Sequence, residues 1–176
     1  MRYISGLGLL FVVLVPLSAL RGSAQENSPV KFKGGIGVDP VSNVVVSTAT
    51  PPVTTVTTNT VRGISPAGQI WKIADLDADV STDGRIFVRG RGLLLGGGNT
   101  IATNGGQSVF ATLFCGPAAS ATASSSNTTG VPLAANGDFE IDDTLSQAPA
   151  NPCDTPVLLI RSTAGTNAWF AAGVPK

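Results

Sequence analysis

The chain has 176 residues, with 11 basic and 11 acidic side chains, two cysteines and no histidine. Without histidine there is no Ser-His-Asp or Cys-His nucleophilic device and no His-ligated zinc, copper or haem site. Charged residues make up 12% of the chain, against about 25% in an ordinary domain, so Ser, Thr, Asn and Gly must cover the surface, and the excess of Lys and Arg needed by a nucleic-acid or anionic-membrane partner is missing.

The chain opens MRYISGLGLLFVVLVPLSALRGSAQEN. One Arg, an apolar run from Leu7 to Leu20 and the small residues Gly22-Ser23-Ala24 have the layout of a secretory signal peptide, residues 1–24, with cleavage expected after Ala24. The run is shorter than the ~20 residues that span a bilayer as a helix, and no second such run follows. No transmembrane segment is therefore expected after cleavage. No Cys follows the cleavage site to take a lipid, and the C-terminal WFAAGVPK carries no sorting motif. The expected location is secreted, extracellular or periplasmic. Losing Arg2 and Arg21 from the 11 basic residues leaves nine against 11 acidic ones. A mature chain of about 150 residues suits one domain with a core of its own.

Residues 25–66 contain VSNVVVSTATPPVTTVTTNTV. Val and Thr around a Pro-Pro favour extended or polyproline conformation, so this region is expected to be an arm or linker with one strand at Asn43–Ser47. The ordered domain is expected over residues 67–176. Its first strong signal is period two: Ala74, Leu76, Ala78 and Val80 fall on one side, Asp75, Asp77 and Asp79 on the other. Thr82-Asp83-Gly84 then supplies a three-residue hairpin loop. That loop length sets Val80 against Ile86, Ala78 against Val88, Asp77 against Arg89 and Asp75 against Arg91. A two-residue loop would mix the two faces.

Further along, Ala135-Asn136-Gly137 predicts a second hairpin, with Leu133 opposite Phe139, Val131 opposite Ile141, and Asp138, Glu140 and Asp142 outward. Pro132 places its strand at an edge. Three more strands are expected at Gln107–Cys115, Pro156–Ser162 and Asn167–Ala172. The first is apolar on both faces and belongs centrally in a sheet. No window has a sustained helical period. About seven short strands predict an all-β antiparallel β-sandwich, immunoglobulin-like in the expected form, with a small β-barrel as the alternative.

Cys115 ends the expected central strand, and Cys153 precedes the strand starting at Pro156. In an exported chain with two cysteines, a disulfide between them is the simplest reading. It would close a loop of about 39 residues, worth roughly 4 kcal/mol on loop-entropy grounds. A reactive thiolate at Cys115 would need a neighbour that lowers its pKa, and the usual one, His, does not occur.

Asp75, Asp77, Asp79 and Asp83 resemble a calcium loop at first sight. The grammar fails: counting from Asp75, Val80 stands where the sharp-turn Gly belongs and Ile86 where a bidentate Glu should be. Cross-strand pairing with Arg89 and Arg91 is expected instead. The second acidic group, Asp138, Glu140, Asp142 and Asp143, has no basic residue near it in sequence. Two carboxylates about 5 to 9 Å apart can run glycoside hydrolysis, and the same row is the candidate for calcium; a solvated strand face is the plainer reading. The glycines of VRGRGLLLGGGNT lack the strand-to-helix context of a phosphate loop. Gly96-Gly97-Gly98 therefore reads as a turn, and Gly90 and Gly92 mark close backbone approach or a bulge. Trp71 and Trp169 are the aromatic candidates for a binding platform, although both lie in apolar strand segments where core packing is the usual role. Asn127 in NTT fits a glycosylation sequon within a Ser/Thr-rich loop.

The blocks STDGRIFVRGRGLLLGGGNTIATNGGQSVFATLFC, NGDFEIDD and CDTPVLLIR followed by AWFAAG resemble those of a group of short, uncharacterised exported bacterial proteins, over about residues 68–174. The resemblance implies a bacterial source, a single secreted β-rich domain and pairing of Cys115 with Cys153. It carries no catalytic residue to this chain. The functional expectation is a secreted, non-enzymatic β-sandwich with a binding or structural role at the cell envelope or outside, ligand unknown and no cofactor. A carboxylate hydrolase acting on glycans and a calcium-binding envelope module are the alternatives.

Overall fold

A computed structural model of the protein describes residues 30–176; the expected signal peptide lies outside the described residues. Thirteen strands run in chain order: β1 Val30–Gly37, β2 Val41–Val46, β3 Thr54–Thr58, β4 Trp71–Lys72, β5 Asp75–Val80, β6 Arg85–Arg91, β7 Leu94–Leu95, β8 Ser108–Cys115, β9 Thr122–Ser125, β10 Val131–Pro132, β11 Phe139–Thr144, β12 Val157–Ser162 and β13 Trp169–Pro175. Nine of them form one antiparallel sheet in the order β10-β8-β12-β13-β1-β5-β6-β11, with β9 also on β8. β2 with β3, and β4 with β7, make two small separate sheets. No helix of the described residues is long and apolar enough to cross a membrane. The all-β antiparallel class is the one the alternation predicts. The strand count exceeds seven because short pairings such as β4 with β7 carry too little periodicity to be read from sequence.

The sheet curls into a half-barrel, and its curl follows from the connection between its two ends. β10 and β11, at opposite ends of the strand order, are consecutive in the chain. The Ala135-Asn136-Gly137 loop forms as expected: Ala134 N–H donates to the Asp138 carbonyl at 2.9 Å and Gly137 N–H to the Ala134 carbonyl at 2.8 Å. Gly137 is left-handed, φ 81°, and a Cβ there would sit 2.6 Å from the Leu93 backbone, so only glycine fits. Beyond the loop the expected hairpin is not made. Val131 pairs with Val109 of β8 and Ile141 with Val88 of β6, in place of each other. Each strand finds a partner elsewhere in the sheet, and the loop becomes a corner joining the two ends.

Inside the curl, β5 and β6 contribute Leu76, Ala78, Val80, Ile86 and Val88, β8 contributes Val109, Ala111 and Leu113, and β12 contributes Leu158 and Ile160, all buried. Burying each of these larger aliphatic side chains is worth about 1.5 to 3 kcal/mol. β8 and β12 are buried along most of their length, as continuous apolar runs require. Gly90 has a packing reason: it lies opposite Phe139, and a Cβ on it would collide with that ring.

The expected arm over residues 25–66 is corrected in two ways. β1 lies in the middle of the sheet, between β13 and β5, with Val30 against Val80 and Phe32 against Ala78. Lys31-Phe32-Lys33 is a short period-two segment that puts Phe32 into the core and both lysines outward. Two glycines just beyond it hid that pattern; they lie at the bulge in the β1–β13 pairing, past the stretch from Val30 to Lys33 that also pairs with β5. The second correction is that the Val/Thr segment is a hairpin, β2 with β3, rather than a lone strand. After it the chain returns to the sheet. The Trp169 indole donates to the Asn59 carbonyl at 3.0 Å, and Ala67 N–H donates to the Trp169 carbonyl at 3.0 Å.

Candidate functional site

The disulfide is present: Cys115 and Cys153 are bonded, at a sequence separation of 38, and no free cysteine remains among the described residues. The bond ties the end of β8 to the loop before β12. Beside it Gly116 N–H donates to the Asp154 carbonyl at 2.6 Å, and the Thr155 hydroxyl donates to the Gly116 carbonyl at 2.7 Å. Cys115 is thereby a structural residue, and no thiol chemistry starts from it.

The first acidic row stands on the outward face of β5. The register is the one the three-residue loop predicts, with Asp75 opposite Arg91, Asp77 opposite Arg89 and Val80 opposite Ile86. Gly84 adopts φ 91° to close the turn, and Asp83 accepts from Arg85 N–H at 3.1 Å. The ion-pair partners differ from the expected arginines. Lys31 Nζ lies 3.1 Å from Asp79 Oδ1 and Lys33 Nζ 3.3 Å from Asp77 Oδ1. β1 pairs with β5 on the side away from β6, so it supplies the cations. Arg89 is released to reach the next strand, where its guanidinium lies 3.4 Å from Glu140 Oε2 and over the Phe87 ring at 5.4 Å.

The second acidic row runs from the corner loop along β11. Asp138 is bound by structure: Oδ1 accepts from Gly92 N–H at 3.0 Å and Oδ2 from the Asn136 side-chain amide at 2.9 Å. Glu140 is opposite Arg89 in the ladder and paired with it. Asp143 Oδ2 accepts from Asn127 N–H at 2.6 Å and Oδ1 from Thr144 N–H at 2.7 Å. The Asp142 side chain has no hydrogen bond or ion pair among the described residues. Residues two apart on one strand are separated by about 6.6 Å of rise, which falls in the span two catalytic carboxylates occupy. Here they stand on an exposed strand face, with Asp138 and Glu140 lining one open depression of about 360 Å³ and Asp142 lying at the rim of another. Among the described residues no three His, Cys, Asp or Glu side chains converge to hold a metal ion. Asp138, Glu140 and Asp142 are therefore placed in a row and not brought together around a point.

Both aromatic candidates are buried. Trp71 is 5% exposed and Trp169 3%. Trp71 stacks on Phe170 with ring centroids 4.1 Å apart, and both tryptophans belong to the core. Asn127 is exposed in a tight turn, its side-chain oxygen accepting from Thr129 N–H at 2.9 Å.

Sequence reasoning missed three features. One is the seam where the curled sheet almost closes, a cleft of about 310 Å³ floored by Val109 and Ile141 and rimmed by Ser126, Asn127, Gly130 and Asp142. Ser146 N–H, donating to the Ser125 carbonyl at 2.7 Å, helps bind the two margins. The second is Arg161, which sits over the Phe110 ring at 5.1 Å, donates from Nε to the Asn167 carbonyl at 2.9 Å, and has its pKa lowered by burial. Nothing in the sequence around Arg161 distinguishes it from a solvated strand residue. The third is the β2–β3 hairpin, whose signal was available: Val/Thr runs on both sides of a Pro-Pro turn.

Comparison of the chain with protein-family models, curated proteins and solved structures finds no match. The structure shows a single β-rich domain with one disulfide, in keeping with the coarser part of what the resemblance implies.

Proposed function

We propose that the protein is a non-catalytic exported domain with a binding or structural role at the cell envelope or outside the cell. The observation that carries this is the use made of its carboxylates. Asp138 and Asp143 are occupied as acceptors for backbone amides, and Glu140, Asp77 and Asp79 are ion-paired on an open strand face. A hydrolase acid of this class needs a site that sets two carboxylates apart in environment, and these residues serve instead to fix a loop, a corner and the order of strands. The disulfide supports an oxidising compartment, extracellular or periplasmic.

The test is direct. The purified domain, its disulfide intact, is assayed on glycans, esters and peptides alongside Glu140→Gln and Asp142→Asn. No turnover above background is expected from any of the three. Turnover that survives purification and is lost in either variant overturns the reading in favour of a carboxylate hydrolase.

A further inference from the structure

We infer that the β2–β3 hairpin is a self-association element, in which the β2 edge pairs with the same edge of a second copy of this chain. The hairpin stands apart from the main sheet, and every residue of both its strands is exposed. Among the described residues β2 pairs only with β3, so its other edge offers unpaired backbone groups.

The register says which groups those are. Ser47 N–H donates to the Val53 carbonyl at 2.8 Å, so by the alternation of antiparallel ladders the 47/53 and 45/55 pairs bond across the hairpin. Val44 and Val46 then direct their N–H and C=O outward. A second copy related by a two-fold axis through Val45 sets Val44 against Val46 of its mate and Val46 against Val44, which satisfies the outward groups of both copies. The side chains of Val44, Val46 and Val56 share one face, since Val44 pairs with Val56, and the joined four-stranded sheet would gather six valines there.

Charge argues for a copy of the chain as the occupant. Between Asp39 and Arg62 there is no charged residue, so two copies meet without like-charge repulsion. Proteins commonly guard a free edge with charges, and β11, at one end of the main sheet, carries Glu140 and Asp142. β2 has no such guard. The exposed apolar area is small beside the roughly 800 Å² per partner of a stable interface, so the dimer is a concentration-dependent one.

Sedimentation velocity of the exported chain from low to high micromolar concentration tests this, with Val45→Lys and Val45→Glu as variants. Each places like charges against one another at the two-fold axis, on a residue that is 54% exposed and outside the core. The wild type is expected to shift from monomer to dimer with concentration, each variant to associate about two- to fivefold more weakly, and an equimolar mixture of the two to regain association. A wild type monomeric throughout, variants that dimerise as well as wild type, or a mixture no better than either variant alone would overturn the inference.

Discussion

Two antiparallel hairpins in this chain, β5–β6 and β2–β3, are built by similar local rules and end in different circumstances. In β5–β6 buried and exposed positions alternate along both strands, the inward residues fill the core, and the outward ones are charged apart from Phe87. In β2–β3 every position is exposed, with Val46 at 60%, and no position is charged. An isolated two-stranded hairpin is marginal in water. This one is held at its base, where Asn59 N–H donates to the Pro40 carbonyl at 2.9 Å and the Asn59 amide to the Asp39 carbonyl at 3.1 Å. The contrast teaches that strand pairing can be specified by turn and propensity alone, while attachment to a fold requires a face that is apolar and another that is marked polar.

Replacing Cys115 and Cys153 together by Ser should cost about 2 to 5 kcal/mol of unfolding free energy, measured by denaturant titration against the oxidised protein; a midpoint unchanged within error would show that the bond carries no part of the fold. Next in size is Gly137→Ala, which combines left-handed strain with a Cβ against the Leu93 backbone and should cost about 2 to 4 kcal/mol. Gly165→Ala is the control, left-handed as well but with open space around it, and about 1 kcal/mol is expected there. A smaller difference sharpens the electrostatic part. Lys33→Gln removes an exposed pair with Asp77, so the loss should be a few tenths of a kcal/mol at low salt and vanish at high salt. A salt-independent loss would mean that packing of the lysine stem, and not its charge, is what β5 uses.

Legibility in the sequence follows the range of the interactions. The β5–β6 register was readable to the residue because its determinants, an alternating row and a three-residue loop, lie within one segment. The ion-pair partners of Asp77 and Asp79 were not, since Lys33 and Lys31 come from a strand more than forty residues earlier, and Arg89 was drawn to Glu140, 51 residues away. For the same reason the corner at Ala135-Asn136-Gly137 was read correctly as a turn and wrongly as a hairpin: turn chemistry is local, whereas the choice of β8 and β6 as partners is made by the whole sheet. At the candidate site the sequence showed that carboxylates stand in a row. It could not show that Gly92, Asn127 and Arg89 would arrive to occupy three of them.

The β2–β3 hairpin is surface added to a body that folds without its help. Excision of residues 41–58, with Pro40 joined to Asn59 through an Asn-Gly turn, tests this most directly by thermal unfolding. One cooperative transition within a few degrees of the intact protein is expected. Loss of cooperative unfolding would contradict it, because the hairpin would then be part of what holds the sheet together.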